Sequence, residues 1–397
     1  MWWIGLMAAV GCARPVGPSA GIDPVSEGYT LSLYESVPEG TALDEPAAPP
    51  PGPAWVALFA GAARAVHLEQ FYVSPEPGEA LDPVIDALAA AGARGVAVDL
   101  VADAKFAGTY PEPLAAWAAR PGHRVRTLDL GARTGGVQHA KFFVVDGRVA
   151  WLGSQNFDWR ALSQIHELGV STDAPAVVAG LEAIFAHDWA LAGGEAPPPV
   201  SGPPPGPTVV RFEGAPVSVE LVGSPAGLLP ATVPWDLPRL VAAVDGAQSR
   251  VRWTSLSLSE APEGGGEGPP WTAMTDAFRR AGARGVTVEV LVSHWSLRGA
   301  KGEAVRALDA APGVEVRVLR VPPLPGREIP FARVNHAKFL TVDGASGWLG
   351  TSNLAGDYFH ASRNVGLLLG GPAVITRLDS IFHRLWSAPE AGPPPPP

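Results

Sequence analysis

The amino-acid sequence predicts an α/β protein built twice: two duplicated domains, each a mixed β-sheet flanked by helices, packed with approximate two-fold symmetry. Three pairs of matching segments carry this expectation. "VQHAKFFVVDGRVAWLGSQN" (Val137 to Asn156) recurs as "VNHAKFLTVDGASGWLGTSN" (Val334 to Asn353). "AGARGVAVDLVAD" (Ala91 to Asp103) recurs as "AGARGVTVEVLVS" (Ala281 to Ser293), and "PAVVAGLEAIFAHDW" (Pro175 to Trp189) as "PAVITRLDSIFHRLW" (Pro372 to Trp386). The offsets are 197, 190 and 197 residues, in one order, so the repeated unit is a domain and not a solenoid repeat.

From the N-terminus, "MWWIGLMAAVGC" is a short apolar run ending in small residues and the chain's one cysteine, Cys12. It resembles a bacterial lipoprotein signal, although Ala9 stands where leucine is usual and no Lys or Arg precedes the run. On that reading Cys12 is lipidated and the protein is tethered to the bacterial cell envelope, on the outer-membrane or periplasmic side, or else secreted. A single cysteine also forbids an intramolecular disulfide. No later stretch reaches the roughly 18 apolar residues that a spanning helix requires.

Proline-rich stretches then divide the chain: "EPAAPPPGPA" (Glu45 to Ala54), "GGEAPPPVSGPPPGP" (Gly193 to Pro207) and a terminal "GPPPPP". The expected plan is a signal over residues 1–12, an N-terminal arm and linker over 13–54, a first domain over 55–195, a linker over 196–208, a second domain over 209–390 and a tail over 391–397. "EAPEGGGEGPP" (Glu260 to Pro270) reads as an exposed loop inside the second domain. Within each domain, a helix-period segment such as "LDPVIDALAAAGARG" is followed by a short buried strand such as "VAVDLVAD".

Composition narrows the function. Hydrophobic residues make up 47% of the chain, with thirteen Trp and thirteen Phe, enough for large cores. Basic residues number 29 against 39 acidic, a net charge of −10, which argues against wrapping duplex nucleic acid with a broad basic face. A narrow pocket for one phosphodiester at a chain end stays open.

The repeated motif supplies the chemistry. Its first copy holds His139, Lys141, Asp146, Gly153, Ser154 and Asn156; its second holds His336, Lys338, Asp343, Gly350, Thr351 and Asn353. "HAKFFVVDGRVAWLG" reads as a hairpin with an Asp-Gly turn, placing His139 and Lys141 on one strand face. Asp146 and Asp343 read as turn formers, and Gly153 and Gly350 as points of close backbone approach. The polar positions are kept in both copies while neighbours such as Phe143 and Leu340 differ, so a chance hairpin does not explain them. Lysine within the set repels a cation and no zinc-type spacing is present, so a metal centre does not fit. An anionic phosphodiester fits. The lysines neutralise it, Ser154, Thr351 and the asparagines hold oxygens or fix the histidines, and the histidines handle protons and phosphorus.

The pattern H-x-K-x4-D-x6-G-[ST]-x-N, twice in one chain, resembles the phospholipase D superfamily. "LGSQNFDWRALSQIHELGV", "IPFARVNHAKFLTVDGASGWLGTSNLAGDYF" and "LYESVPEG" resemble its phospholipase D3/D4-type branch, whose animal members are 5′-exonucleases on single-stranded nucleic acid. The resemblance runs from about Leu31 to Pro389. It implies two phospholipase D-like domains meeting at a pseudo-two-fold interface, one site made from both motifs, and a monomer with an internal pseudo-dimer. It also implies a phosphohistidine intermediate with no metal or cofactor: one histidine attacks phosphorus while the other protonates the leaving oxygen. An acidic residue eleven positions beyond the motif asparagine buttresses a histidine in the family. Glu167 stands there in the first copy, and Asn364, an amide, in the second.

Phe157, Trp159 and Tyr358 are candidates to stack on a base or an acyl chain. The remaining histidines, His67, His123, His166, His187, His294, His360 and His383, read as surface or packing residues, with His294 alone near a strand end that can approach the cleft. The leading expectation is a metal-independent phosphodiesterase acting on single-stranded nucleic acid. The alternatives are a phospholipase D or transphosphatidylase on membrane phospholipids, and an inactive binding protein, against which both intact motifs speak.

Overall fold

Helix and strand alternate in each half because the apolar spacing switches repeatedly between the helical and the strand period, and each half closes around a mixed sheet. The structure, a computed structural model, describes residues 28–262 and 268–396. Cys12 and its leader, with part of the glycine-rich loop, lie outside the described residues.

In the first half, Ala65–Gln70, Ala97–Asp103 and His123–Leu128 run parallel. They are joined by crossovers that carry the helices Asp82–Ala93 and Pro111–Ala118. The chain then turns back through the antiparallel strands Phe142–Val145, Val149–Gly153 and Glu167–Thr172. The second half repeats this order: Arg250–Ser255, Thr287–Ser293 and Val314–Leu319 are parallel, followed by antiparallel Phe339–Val342, Ser346–Gly350 and Asn364–Gly370. The sheets have seven and nine strands, and the two extra strands of the second, Thr208–Phe212 and Ala391–Gly392, are its edges. The duplicated α/β architecture expected from the repeats is thus the observed one.

Three segments differ from their expected places. The helix Pro51–Ala60 begins inside the stretch read as linker, and Ala391–Gly392, read as tail, pairs with Val314–Leu319. The third is at the N-terminal side. Leu31–Ser36, read as part of an arm, is the edge strand of the first sheet, paired antiparallel with Glu167–Thr172. Its counterpart in the second half is Ala215–Ser224 on Asn364–Gly370. Alternation drives it: Leu31 and Leu33 are buried while Ser32 is exposed. The proline-rich stretch from Gly193 to Pro207 carries no helix or strand.

Three cores result. One lies on the outer face of each sheet, around Trp55, Phe143 and Trp151 in the first half and around Trp253, Phe278 and Trp348 in the second. The third is shared, with Leu168, Leu181 and Ile184 of one half in the same cluster as Leu367, Leu378 and Ile381 of the other. The helices Pro175–Ala192 and Pro372–Ser387 supply much of it, which explains why their sequences match so closely. The halves therefore cannot separate without exposing core.

Candidate active site

The two motif segments meet where the halves join. His139 N donates to Arg363 O at 2.9 Å and Arg363 N to Val137 O at 3.0 Å, while His166 N donates to Val334 O at 3.0 Å and His336 N to His166 O at 2.8 Å. Exchange of the halves carries one pair of bonds into the other, because Arg363 stands to the second copy as His166 stands to the first. This corrects the expectation that each histidine lies on its hairpin strand. His139 precedes Phe142–Val145, and His336 precedes Phe339–Val342, because their backbone groups are spent on the opposite half.

Each joint segment is pinned by a buried ion pair or its equivalent. Arg363 binds Asp188 through Nε at 2.6 Å and Nη2 at 2.8 Å, with both side chains inaccessible to solvent. Its remaining donors reach Ser224 O at 3.1 Å and Leu228 O at 2.8 Å. At the related position His166 contacts Glu35 through Nε2 at 2.7 Å and Asn335 through Nδ1 at 3.2 Å. His166 is therefore a buried structural residue of the joint.

Each catalytic-motif histidine is braced from the other half. His336 Nδ1 lies 2.8 Å from both carboxylate oxygens of Glu167, and His139 Nδ1 lies 3.0 Å from Asn364 Oδ1. The position after the first motif thus orients the second histidine, and the reverse. Glu167 occupies the expected buttress position, and the second brace is an amide. Asn364 is itself fixed, because its Oδ1 accepts from Thr351 Oγ1 at 2.9 Å and its Nδ2 donates to Tyr358 O at 2.7 Å. That polarity makes His139 Nδ1 the donor and keeps its Nε2 for chemistry, while His336 Nδ1 shares a proton with Glu167.

Of the two roles open to Ser154 and Thr351, holding phosphate oxygens or fixing the histidines, the structure shows the second: both are fully buried and serve the braces. Ser154 Oγ accepts from Leu168 N at 3.0 Å, beside Glu167, as Thr351 Oγ1 holds Asn364. The reason is the tight fit at the preceding glycines. A Cβ on Gly153 would come within 2.7 Å of Leu168 O, and one on Gly350 within 2.7 Å of Val365 O, so the hydroxyls lie against the neighbouring strand.

Lys141 and Lys338 are buried, 1% and 0% exposed, and each Nζ donates to the carbonyl of its own motif histidine. Lys141 also sits 5.0 Å from the centre of the Phe71 ring. Burial takes the Lys338 ammonium down to about 7, with Glu167 opposing the shift. Burial and the charge of Lys338 hold Lys141 well below the usual lysine range. Burial, then the charges of both lysines, keep His139 and His336 well below the usual imidazole range. Glu167 is pushed up to about 8 by burial, against the pull of Lys338 and Ser154. The pocket is therefore built for a negative charge that none of its own groups fully supplies.

Asp146 and Asp343 are turn residues with left-handed backbones, φ 56° and 53°. Asp146 accepts from the backbone N–H of Ala63, Arg64 and Ala65, and Asp343 from those of Gln248, Ser249 and Arg250. Burial raises the Asp343 carboxyl, but these bonds outweigh it and bring it down to about 2. The aspartates tie each hairpin turn to the start of the neighbouring strand and do not line the cavity.

A cavity of about 430 Å3 opens on this centre, lined by His139, His336, Asn156 and Asn353. Its first-half wall is Phe71, Tyr72, Phe106 and Tyr110, rings that pack on one another, as Phe71 does on Phe106 at 4.2 Å. These residues carry no motif, and sequence reasoning missed them; "QFYVS", directly after a parallel strand, was the available signal. Tyr358 lines the cavity and stands edge-on to His139 at 4.9 Å. Phe157 and Trp159 do not reach the cavity: Phe157 stacks on Trp55 in the outer core, and Trp159 is buried under Arg327. His294 lines a neighbouring hollow with Arg327 and Arg333. Among the described residues no group of three or more His, Cys, Asp or Glu side chains could hold a metal ion, and no helix is long and apolar enough to cross a membrane.

Comparison with known proteins shows the family of the chain. A family model described as "Cardiolipin synthase, PLD-like domain" matches residues 56–189 and again 240–386. The chain is 31% identical to the 5′-3′ exonuclease PLD3 of Bos taurus over 94% of its own length and 82% of the bovine protein. It is 29% identical to Phospholipase D Z of Dictyostelium discoideum, covering 92% of the chain and 91% of that protein. The phosphatidylserine synthase of Haemophilus influenzae Rd KW20 shares the fold, with a TM-score of 0.60 at 12% identity over 86% of this chain and 85% of that one. The sequence relatives PLD3, PLD4 and Phospholipase D Z are eukaryotic, and they overturn the expectation of a bacterial, lipid-anchored envelope protein that rested on the residues before Cys12. With one family model matching twice and relatives aligned across nearly the whole chain, the protein belongs to the phospholipase D superfamily, a family of phosphodiesterases.

Proposed function

We propose that the protein hydrolyses phosphodiesters in single-stranded nucleic acid from the 5′ end, without a metal ion, through a phosphohistidine. The observation that carries the reading is the crossed bracing of two histidines at one cavity, with a buried lysine behind each. The Nε2 of one histidine attacks phosphorus and displaces the next nucleotide's oxygen, which takes a proton from the other histidine. That second histidine then removes a proton from water as the water attacks the phosphohistidine, freeing the nucleotide and restoring both rings. Lys141 and Lys338 offset charge on the phosphoryl oxygens, and Asn156 and Asn353 offer amide donors at the cavity wall.

The nucleic-acid substrate is favoured by the 31% identity to proteins named 5′-3′ exonucleases and by an aromatic wall suited to a base. A phospholipid substrate is the second reading, favoured by the likeness to Phospholipase D Z. Parallel assays with EDTA present separate them, using 5′-hydroxyl oligonucleotides and phosphatidylcholine vesicles. Release of mononucleotides supports the proposal; release of choline alone replaces it with the lipid reading, and activity lost on chelation removes the metal-free mechanism.

A further inference from the structure

The reaction cavity does not end at the histidines. Trp295 and Phe331 line it and also line a second hollow of about 700 Å3, whose other walls include Arg298 and Lys301. Phe331 is 71% exposed, and no other large hydrophobic side chain stands so exposed among the described residues. A left-handed backbone, φ 57°, presents it there, in the loop that leads into the second motif. A single exposed ring is ordinary on a protein surface, and what singles this one out is its place at the junction of the two hollows.

The charges beside it are available. Arg298 and Lys301 are both exposed and, among the described residues, neither has a carboxylate within ion-pair distance. Asp357 feels the Lys301 charge, and His294 feels that of Arg298, but both effects are secondary to burial. On a chain of net charge −10, two cations without a carboxylate partner among the described residues, next to an exposed ring, form a local exception that suits a polyanion. The arrangement is also one-sided. The equivalent first-half segment, after Ala97–Asp103, carries Phe106 and Tyr110, which pack against Phe71 and Tyr72 and fill that side.

We propose that the Trp295–Phe331–Arg298–Lys301 hollow is the track for the nucleotides downstream of the scissile phosphate, an inference that rests on the nucleic-acid reading above. The terminal nucleoside lies against the Phe71–Tyr110 wall, the phosphate between the histidines, and the strand leaves over Phe331, its phosphates passing Arg298 and Lys301. Bases stack on such rings whatever their identity, so the track selects for chain length and single-strandedness and not for sequence.

The test compares a two-nucleotide and an eight-nucleotide oligothymidylate, each with a 5′-hydroxyl, on the full chain and on the variants Arg298→Ala/Lys301→Ala and Phe331→Ala. The wild type is expected to prefer the longer substrate in kcat/KM. The double variant should lose that preference while cleaving the dinucleotide as before, and its slope of log(kcat/KM) against log[salt] should flatten by about 1.4, two single-strand phosphate contacts at roughly 0.7 each. Phe331→Ala should weaken the longer substrate roughly 5- to 150-fold in KM, the equivalent of one lost stacking contact. Equal losses on both lengths, no loss on either, or a wild type indifferent to length would overturn the track. A wild type that cleaves no oligonucleotide overturns the nucleic-acid reading itself, and with it the track. Variants that slow only the hydrolysis of a short-chain phosphatidylcholine would assign the hollow to acyl chains.

Discussion

Glu167→Gln is the substitution that isolates what the brace contributes. It keeps the shape of the side chain and an acceptor oxygen near His336 Nδ1, so it converts this histidine's setting into the one His139 already has with Asn364. What it removes is an ionisable carboxyl, protonated below about pH 8 and charged above it, so the loss is read at the alkaline end of the pH range. A hydrogen bond to a charged group contributes about 1.5–3 kcal/mol and a neutral one about 1, so the imidazolium that forms at His336 during turnover should lose roughly 1–2 kcal/mol of stabilisation. That is about a 5- to 30-fold fall in kcat. KM should change little, because Glu167 is buried beneath the ring and does not line the cavity. The assay is steady-state hydrolysis of a chromogenic phosphodiester between pH 5 and 9, with thermal melts run alongside. A kcat within twofold of wild type would show that His336 needs no carboxylate. A fall as deep as that of His336→Ala would show that Glu167 takes part in the chemistry directly, and either result refutes the positioning role. Asn364→Asp supplies the reciprocal test and should make His139 easier to protonate, moving the acid limb of the rate profile to higher pH.

Other expectations concern stability. Between about pH 4.5 and 8 the native state holds a proton on Glu167 that the unfolded chain releases, so stability falls as pH rises through that range. Between about pH 7 and 10.5 the unfolded chain holds a proton on Lys338 that the native state lacks, so stability rises. His139, His336 and Lys141, also held below their usual ranges, add to the rise, so Glu167→Gln should steepen the gain of stability with pH between about 4.5 and 8 in denaturant titrations. Asp188→Leu alone strands Arg363 without its counter-charge and should cost about 3–5 kcal/mol, whereas Asp188→Leu with Arg363→Met should recover much of it; equal losses in both would refute the ion-pair account. Asp343→Ala removes the acceptor for three backbone N–H groups and should lower stability by about 1–3 kcal/mol while leaving kcat near wild type, and a selective loss of kcat would place Asp343 in the chemistry.

The duplication, the mixed sheets and the motif residues were legible because they leave local signals: matched segments, a change of apolar period and a polar pattern repeated at fixed offsets. Glu167 was legible as a position but its partner was not. That it serves His336 and not its own half's His139 depends on how the halves cross, which no local pattern encodes. Arg363 was invisible for the same reason, since its role comes from Asp188, 175 residues away. Ser154 and Thr351 were left between two roles because a hydroxyl beside a motif glycine also suggests a phosphate ligand, and only the packing of Gly153 and Gly350 against the next strand turns it inward. Phe71, Tyr72 and Phe331 lie on connections between elements and Phe106 on the short helix Ala104–Thr109, none of which carries a repeated pattern. The leader misdirected the localisation because a short apolar run before a cysteine is a signal of composition, which distant chains reach independently.

A rapid-quench experiment in EDTA tests whether the two halves make one covalent catalytic centre. The enzyme is mixed with a 5′-hydroxyl oligonucleotide, quenched in alkali, digested and analysed by mass spectrometry for a phosphoramidate-linked nucleotide, for wild type and for His139→Ala and His336→Ala. The wild type is expected to carry the adduct on one of these two histidines, and replacing either residue should cut turnover by about 10² to 10⁴ with the fold intact. One of the replacements removes the adduct and the other leaves it slow to form or to decay. Turnover without an adduct on either ring, or wild-type rates in either variant, would contradict the shared-site mechanism.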